Sequence, residues 1–391
     1  MAINKTQMER IHIAFFGPTN SGKSTLVNAI AGQPVSLVSD VPGTTTDPVR
    51  KLIELPGLGP CVLIDTAGLD DTSVLGAERR RLTLSILDET DVAVYVWPNA
   101  VDAPDSGTSS AFADMIRSAD IPVVSYSRGE TVDDLLRRIA AAVPKQEERF
   151  LTGDLVKSGD TVLLVMPQDS EAPKGRLILP QVQVLRELLD RRCNALCSTP
   201  ETLPDALARL KETPDLVITD ASVFRAVDAA LPAGTPLTAF SVLLAAAKGD
   251  IRTFVEGAKA IDTLRPDARV LIAEACTHVP DTEDIGRVKI PALLRKRIEM
   301  PGQAGHDGRQ AGHDSLLARH DTIKIVIAAG NAFPEDLSPY DLIIHCGACM
   351  ATSRVVRART RRALLAGVPI TNYGIALAKL QGILDRIVIP G

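Results

Sequence analysis

Apolar runs alternate with amphipathic segments through the first third of the chain. The apolar runs predict strands, and the segments with a period near 3.6 residues predict helices. The predicted strands are Ile11–Phe16, Cys61–Ile64, Asp91–Trp97 and Ile121–Ser125, and the predicted helices are Lys23–Ala31, Arg79–Asp88, Ala111–Ser118 and Val132–Val143. This alternation predicts a mostly parallel sheet covered on both faces. We place the first domain at residues 1–147, ending within the charged segment 145–149, which is typical of a linker.

Two further α/β units follow, a middle domain at 148–262 and a last domain at 263–391. Between the last domain's strands, Pro301–Asp321 is rich in Gly, His and Asp and predicts an exposed insertion. The pattern predicts two Rossmann-like parallel sheets. Their strands are Thr161–Met166 and Leu216–Thr219, then Arg269–Ala273, Ile323–Ala328, Leu342–His345 and Pro369–Thr371, and the middle helices are Gln181–Arg191 and Pro200–Lys211.

Composition narrows the class of protein. The chain has 391 residues, of which 45% are hydrophobic and 23% charged, as in ordinary globular proteins, so wholesale disorder is excluded. A net charge of −5 argues against nucleic acid as the main partner. No apolar run reaches the roughly 18 residues that a bilayer span needs, so we expect no membrane partner. The polar N-terminus shows no signal peptide, and we expect a cytoplasmic location.

A phosphate-binding loop follows the first predicted strand. Gly17-Pro-Thr-Asn-Ser-Gly-Lys-Ser24 fits the G-x-x-x-x-G-K-[ST] motif, with a strand before it and a helix after it. Backbone N–H groups of such a loop bind phosphate oxygens at a helix N-terminus. Lys23 would reach the β- and γ-phosphates, and Ser24 would bind Mg²⁺. The predicted nucleotide-binding residues here are Gly17, Asn20, Ser21, Gly22, Lys23, Ser24 and Thr25.

Two later segments complete the pattern of a GTPase of the translation-factor type. Gly43–Asp47 supplies hydroxyls for a switch loop, and we expect Thr45, with Thr44 as its rival, to bind Mg²⁺. Asp65-Thr-Ala-Gly68 ends a strand, which places Asp65 near Mg²⁺ and the Gly68 amide near the γ-phosphate. The first domain is therefore expected to be a P-loop GTPase domain.

The fourth residue of the loop and the residue after Gly68 bear on hydrolysis. Asn20 resembles the asparagine of GTPases in which K⁺ substitutes for an arginine finger, so we expect K⁺ at Asn20. Leu69 occupies the place where Ras-like enzymes carry a catalytic glutamine. Slow, K⁺-stimulated hydrolysis is the expectation.

The guanine-reading Asn-Lys-x-Asp segment is absent from the sequence. The fifth predicted strand runs into Ser125–Leu135, which resembles the later Ser-Ala-x-x-Gly segment of GTPases. The simplest account is the loss of one strand–helix unit, and we interpret Asn99–Asp102 as a loop. Guanine specificity is left open.

Cysteine and histidine residues follow two strands of the last domain. Cys276-Thr-His278 ends one strand, and His345-Cys-Gly-Ala-Cys349 ends another. Ligands gather at the carboxyl ends of parallel strands, so these segments are expected to meet in space. Three thiolates with one or two imidazoles suit zinc or a 4Fe-4S cluster, and both readings stay open.

The chain combines a P-loop GTPase domain, a middle α/β domain and the two cysteine–histidine segments of the last domain. In this combination it resembles the HydF family of FeFe-hydrogenase maturation scaffolds. Matching segments are Ile272–His278, Asp284–Pro291, Phe333–Leu337 and Gly367–Gly374. The resemblance covers nearly the whole chain. It departs in the lost guanine-reading segment and in the longer spacing between the two ligand pairs.

The resemblance implies a 4Fe-4S cluster on Cys276, Cys346 and Cys349, with His278 or His345 as labile fourth ligand. It implies GTP and Mg²⁺ as further cofactors and a homodimer formed through the middle domain. It also implies that a binuclear iron precursor is accepted and delivered to apo FeFe-hydrogenase, with two radical-SAM maturases as further partners.

Two alternative functions and one surface question stay open. The chain could be a P-loop NTPase with a structural zinc site, or a nucleotide-gated binding module with decayed hydrolysis. Five arginines, at 354, 357, 359, 361 and 362, could form a patch for an anionic partner or a solvated helix face.

Overall fold

The computed structural model consists of two compact units, Met1–Glu147 and Glu148–Gly391. It describes residues 10–32, 48–68, 76–98, 116, 119–144, 150–168, 177–275, 284–299, 323–330, 332–349 and 351–391. In this part of the chain no helix is both long and apolar enough to cross a membrane. The domain boundaries 1–147, 148–262 and 263–391 stay predictions.

The described strands of the first unit form one sheet with the order β2-β3-β1-β4-β5. All neighbouring pairs are parallel except β2 and β3. Strand β4 is an unbroken apolar run because both of its faces are covered, and all of its residues are buried. The elements are β1 (Ile11–Phe16), α1 (Lys23–Ala31), β2 (Val49–Leu55), β3 (Gly59–Asp65), α2 (Gly76–Glu89), β4 (Val92–Trp97), β5 (Val123–Ser127) and α3 (Val132–Ala142).

Strand β2 is missing from the sequence prediction. It pairs with β3 across a turn in which Gly57 and Gly59 have φ angles of 79° and 78°, a region that favours glycine. Exposed and half-buried residues alternate along β2, which is a strand signal, but charged residues on both faces weaken its apolar pattern. The predicted helix Ala111–Ser118 lies, apart from residue 116, outside the described residues.

The described strands of the second unit form two four-stranded parallel sheets, β7-β6-β8-β9 and β11-β10-β12-β13. The strands are β6 (Thr161–Val165), β7 (Asn194–Ser198), β8 (Leu216–Thr219), β9 (Leu237–Ala239), β10 (Arg269–Glu274), β11 (Lys324–Ala329), β12 (Leu342–His345) and β13 (Ile370–Asn372). The helices are α4 (Leu179–Asp190), α5 (Leu203–Arg209), α6 (Phe224–Ala230), α7 (Phe240–Lys248), α8 (Ile251–Ala258), α9 (Ile290–Glu299), α10 (Ser353–Leu365) and α11 (Tyr373–Leu380), with a π-helix at Ile285–Lys289.

Sequence reasoning found six of these strands and missed β7 and β9. Strand β7 is an edge strand with no fully buried side chain, and β9 has three residues, so neither carries a clear apolar run. The predicted helix Pro200–Lys211 is shorter in the structure, where α5 spans Leu203–Arg209.

The two sheets of the second unit share one hydrophobic core. A continuous cluster of buried side chains extends from Leu163 and Val217 of one sheet to Ile272 and Ile344 of the other. Helix α8 packs closely on β13, since a Cβ on Gly257 would lie 1.9 Å from the carbonyl oxygen of Ile370. Glycine at this position is what permits the close approach.

Candidate functional site

The phosphate-binding loop has the backbone geometry that its glycines predict. Gly17 has φ 149°, and a Cβ there would lie 2.4 Å from the carbonyl oxygen of Val96. Gly22 has φ 97° and immediately precedes α1, while Asn20 has φ 60° and is exposed. The loop therefore curls back between β1 and α1 and lies at the N-terminus of a helix, where anions are favoured.

Lys23 lies over this loop. Its ammonium donates to the carbonyl oxygens of Gly17, at 3.0 Å, and Pro18, at 2.7 Å, and the residue is 7% exposed. A buried ammonium held within this loop supplies a positive charge where phosphate oxygens would lie.

Ser24 and Asp65 meet at the metal side of the loop. The Ser24 hydroxyl donates to Asp65 Oδ2 at 2.6 Å, and Asp65 is 1% exposed. Within the described chain, Asp65 Oδ1 and the Ser21 hydroxyl are buried without a hydrogen-bond partner. A hydroxyl beside a carboxylate with an unpaired oxygen is the donor set that Mg²⁺ prefers, so the residues fit this ion.

The Asp65–Gly68 segment packs directly on the phosphate-binding loop. A Cβ on Gly68 would lie 2.1 Å from Thr19 Oγ1 and 2.8 Å from the Thr19 backbone nitrogen. Thr66 donates its hydroxyl to the carbonyl oxygen of Phe15 at 2.7 Å, which fixes the segment to β1. Any side chain at position 68 would push the two segments apart.

Several predicted residues of this site lie outside the described part of the chain. They are the switch threonines Thr44 and Thr45, Leu69, and the Asn99–Asp102 segment. Thr25 is described and lies exposed in the first turn of α1.

The end of β5 and the loop after it, at the position where GTPases bind the guanine base, are held by protein contacts. Glu130 accepts from the Ser127 amide at 2.9 Å and pairs with Arg138. Arg138 also donates to the carbonyl oxygen of Ser125 at 2.8 Å, and the Tyr126 hydroxyl donates to that of Glu130 at 3.2 Å. The Glu130 carboxylate is thus engaged within its own loop.

The cysteine site lies where β10 and β12 end side by side. These strands pair in parallel with Ala273 opposite His345, and the Cys346 amide donates to the carbonyl oxygen of Ala273 at 2.8 Å. The Cys346 sulfur accepts from the Ala275 amide at 3.1 Å and the Ala348 amide at 3.4 Å. Strand β10 has β11 on one side and β12 on the other, so this edge is the topological switch point of the sheet.

Cys276 and His278 lie outside the described residues, whereas Cys346 and Cys349 are described and half-buried. Among the described residues, no group of three or more His, Cys, Asp or Glu side chains could hold a metal ion. The Cys346 sulfur nevertheless contacts the residue that directly precedes Cys276. Thiols from both segments suit zinc or an iron–sulfur cluster in their chemistry.

His345 is enclosed by protein. Its Nδ1 lies 2.8 Å from the carbonyl oxygen of Cys346, so this nitrogen carries the proton. Its Nε2 lies 3.4 Å from the Arg359 guanidinium. Burial, with a contribution from Arg359, lowers the pKa of His345 to about 4. His345 is therefore neutral at physiological pH.

Three charged residues near this edge have roles that the sequence did not predict. Glu274, 1% exposed, accepts two hydrogen bonds from Arg287, at 2.8 and 3.2 Å. Arg359, 5% exposed, donates to the carbonyl oxygens of Glu274 and Gly330 at 3.3 and 2.7 Å and stacks on Phe333. The sequence left two interpretations of the arginines at 354–362, a patch for an anionic partner or a solvated helix face. Arg359 fits neither interpretation, because its side chain is buried. The sequence did offer one signal: Glu274 ends an apolar strand, and a carboxylate buried there needs a positively charged partner.

The two units match models of different protein families. Residues 12–128 match the model described as 50S ribosome-binding GTPase, so the first unit carries a GTPase domain. Residues 151–249 match the hydrogen maturase F dimerization domain, and residues 252–310 and 315–390 match the hydrogen maturase F tetramerization domain. The last two models together match more than half of the chain. The chain belongs to the hydrogen maturase F (HydF) family.

Curated relatives match the GTPase part. The tRNA modification GTPase MnmE of Methylobacterium radiotolerans is 35% identical over 161 residues, which are 37% of this chain and 35% of the relative. GTPase Der of Caldicellulosiruptor saccharolyticus is 40% identical over 100 residues, 25% of this chain and 23% of the relative. The chain thus spans about a third or less of the length of these relatives.

Solved structures similar to this chain include a variant of Era from Aquifex aeolicus bound to GDP and aluminium fluoride. It is 18% identical, covers 51% of this chain and 98% of its own, and has a TM-score of 0.26. NFeoB from S. thermophilus is 22% identical, covers 34% of this chain and 62% of its own, and has a TM-score of 0.22. The predicted fold class, a P-loop GTPase domain followed by parallel-sheet α/β domains, is confirmed.

Proposed function

We propose that this chain is a scaffold of FeFe-hydrogenase maturation that carries a nucleotide switch. It binds a 4Fe-4S cluster, accepts a binuclear iron precursor as cargo and delivers it to apo-hydrogenase. The observation that carries the proposal is the contact between the Ala275 amide and the Cys346 sulfur, which joins the two cysteine segments at one sheet edge.

The thiolates of Cys276, Cys346 and Cys349 hold the cluster in this proposal. A cluster with three thiolate ligands supplies one iron with an exchangeable position. The protein contributes N–H donors from Ala275 and Ala348 to the Cys346 sulfur, which orient that ligand and lower the charge on it.

His278 is the better candidate than His345 for the labile fourth ligand. Both ring nitrogens of His345 face protein groups, the Cys346 carbonyl and the Arg359 guanidinium. Freeing Nε2 would require moving a buried arginine that also binds two backbone carbonyls. His345 then acts through β12 by fixing the direction of the Cys346 backbone.

The first unit binds GTP and Mg²⁺ in this proposal. Lys23 binds phosphate oxygens, while Ser24, Asp65 and Thr45 bind Mg²⁺. Hydrolysis is slow and K⁺-stimulated, with Asn20 at the K⁺ site. The sequence lacks the Asn-Lys-x-Asp segment, and the Glu130 carboxylate, which could have replaced it, is engaged within its own loop. We therefore expect weak discrimination between GTP and other purine triphosphates.

The homo-oligomer forms through the segments that match the dimerization and tetramerization models, with the dimer contact in the middle domain. Apo FeFe-hydrogenase and two radical-SAM maturases are the proposed partners, and the cytoplasm is the proposed location.

Anaerobic reconstitution with iron and sulfide tests the proposal. We expect about four irons and four sulfides per chain, an EPR signal of a reduced 4Fe-4S cluster, and activation of apo-hydrogenase when the maturases are added. Stoichiometric zinc retained through reconstitution would favour the P-loop NTPase with a structural zinc site. If the protein binds the cluster but does not activate apo-hydrogenase, the proposed delivery step is wrong.

A further inference from the structure

Lys248, within the segment 151–249 that matches the dimerization model, binds the loop between β12 and α10, residues 346–352, which we call the cysteine loop. It is the last residue of α7, and its ammonium donates to the carbonyl oxygens of Ala348 and Ala351, both at 2.7 Å, and approaches that of Cys349 at 3.5 Å. A lysine ammonium has three N–H donors, so it can bind these three carbonyls together. All three acceptors lie in the short segment that runs from Cys346 into α10.

The segment that Lys248 binds has an unfavourable backbone conformation. Ala348 has φ 51°, in the left-handed region that residues with a Cβ rarely adopt, and is 4% exposed. Its amide donates to the Cys346 sulfur at 3.4 Å, and its carbonyl accepts from the Ala351 amide at 3.1 Å. Contacts to that carbonyl therefore hold the conformation in which the Ala348 amide points at the thiol.

The lysine itself is fixed by tight packing. Gly249 follows it, and a Cβ there would lie 2.7 Å from the Phe254 ring and 3.2 Å from Val356 of α10. Helix α7 is thus pressed against the helix that the cysteine loop leads into.

We propose that Lys248 is a positioning residue for the cluster ligands Cys346 and Cys349, an inference that rests on the proposed cluster-binding function. It fixes the loop through main-chain carbonyls and places a positive charge beside the cluster. Because Lys248 lies in the dimerization segment and the loop in the tetramerization segment, cluster retention depends on how these two segments pack.

Two consequences separate this role from a merely structural one. Without the ammonium, the loop relaxes and ligand exchange at Cys346 and Cys349 becomes faster. A cation near an anionic cluster favours its reduced state, so removing it lowers the midpoint potential.

The test compares three variants. Lys248→Met keeps a side chain of similar length without the charge, Lys248→Arg keeps the charge, and Lys259→Met is the control. Lys259 is an exposed lysine of the same unit, 64% exposed, and serves as the control. The readouts are the rate of iron loss to a chelator, the midpoint potential from EPR-monitored titration, and hydrogen exchange of residues 346–352 in the apo-protein.

We expect Lys248→Met to lose iron about 10-fold faster and to have a lower midpoint potential. In Lys248→Arg the rate of iron loss and the midpoint potential should lie close to the wild-type values, and in Lys259→Met both should equal them. Should Lys248→Met lack native circular dichroism, Lys248→Gln, which keeps two N–H donors without the charge, takes its place with the same expected direction.

Wild-type values in the methionine or glutamine variant for all three readouts would overturn the inference. If the wild-type chain takes up no 4Fe-4S cluster, the proposed function fails separately. In that case hydrogen exchange in the apo-protein still decides whether Lys248 orders the loop, because this readout needs no iron.

Discussion

The nucleotide site and the cysteine site both lie at the carboxyl ends of parallel strands, yet they are built differently. The phosphate-binding part of the nucleotide site is one contiguous loop, with backbone N–H groups and one ammonium for the phosphates, and the Asp65–Gly68 segment adds the metal side. The cysteine site brings together segments about seventy residues apart along the chain, held by the pairing of β10 with β12 and by buried charges. The first site depends on local conformation, and the second depends on tertiary packing.

The largest expected effect tests the ligands of the cysteine site. Replacing Cys346, Cys349 or Cys276 with Ser should remove most of the iron after reconstitution, because a serine hydroxyl is a poor ligand for iron at neutral pH. Iron and sulfide analysis with EPR measures it. The control is Cys61→Ser: Cys61 is fully buried in the first unit, and burial, with Asp91, raises the pKa of its thiol to about 11. Full iron content in a cysteine variant would exclude that residue as a ligand.

The corresponding change at the nucleotide site is Lys23→Ala. We expect nucleotide affinity or turnover to fall by about 100-fold, because the ammonium above the loop is lost. Lys51→Ala, on β2, is the matched control and should leave both unchanged. Isothermal titration and phosphate release measure the two quantities. Iron content should not change in either variant, and wild-type turnover in Lys23→Ala would refute the role of this lysine.

The third prediction tests whether buried charges hold the cysteine site. Arg287→Met leaves the Glu274 carboxylate, 1% exposed, without its ion pair, and should destabilise the second unit by about 3 kcal/mol. The chain has one tryptophan, Trp97, in the first unit, so fluorescence follows that unit while far-UV circular dichroism follows the whole chain.

In urea, the circular dichroism transition should therefore move and the fluorescence transition should not. The control is Arg186→Met, since the Arg186 side chain is 65% exposed beside Asp190 and its loss should not move either transition. Equal transitions in Arg287→Met and wild type would mean that the pair does not stabilise this edge.

The contrast between the sites also explains what the sequence could predict. The phosphate-binding loop is recognisable because its residues are contiguous and each has a fixed geometric task. The strands β10 and β12 were predictable as apolar runs, but the Cys346 sulfur contact to the Ala275 amide required their register. Glu274, Arg287, Arg359 and Lys248 were missed because their partners lie up to about a hundred residues away along the chain.

The smallest expected effect concerns the cation at the nucleotide site. Asn20 has φ 60°, which glycine adopts without strain and alanine only at an energetic cost, so Asn20→Gly removes the amide and keeps the loop. We expect K⁺ to stimulate wild-type GTP hydrolysis several-fold over Na⁺, because the Asn20 carbonyl oxygen can bind K⁺ beside the phosphates. The glycine variant should hydrolyse GTP at one rate in both salts while nucleotide affinity stays near the wild-type value. Equal wild-type rates in K⁺ and Na⁺ would remove the cation from hydrolysis, and retained stimulation in the variant would place the K⁺ site elsewhere.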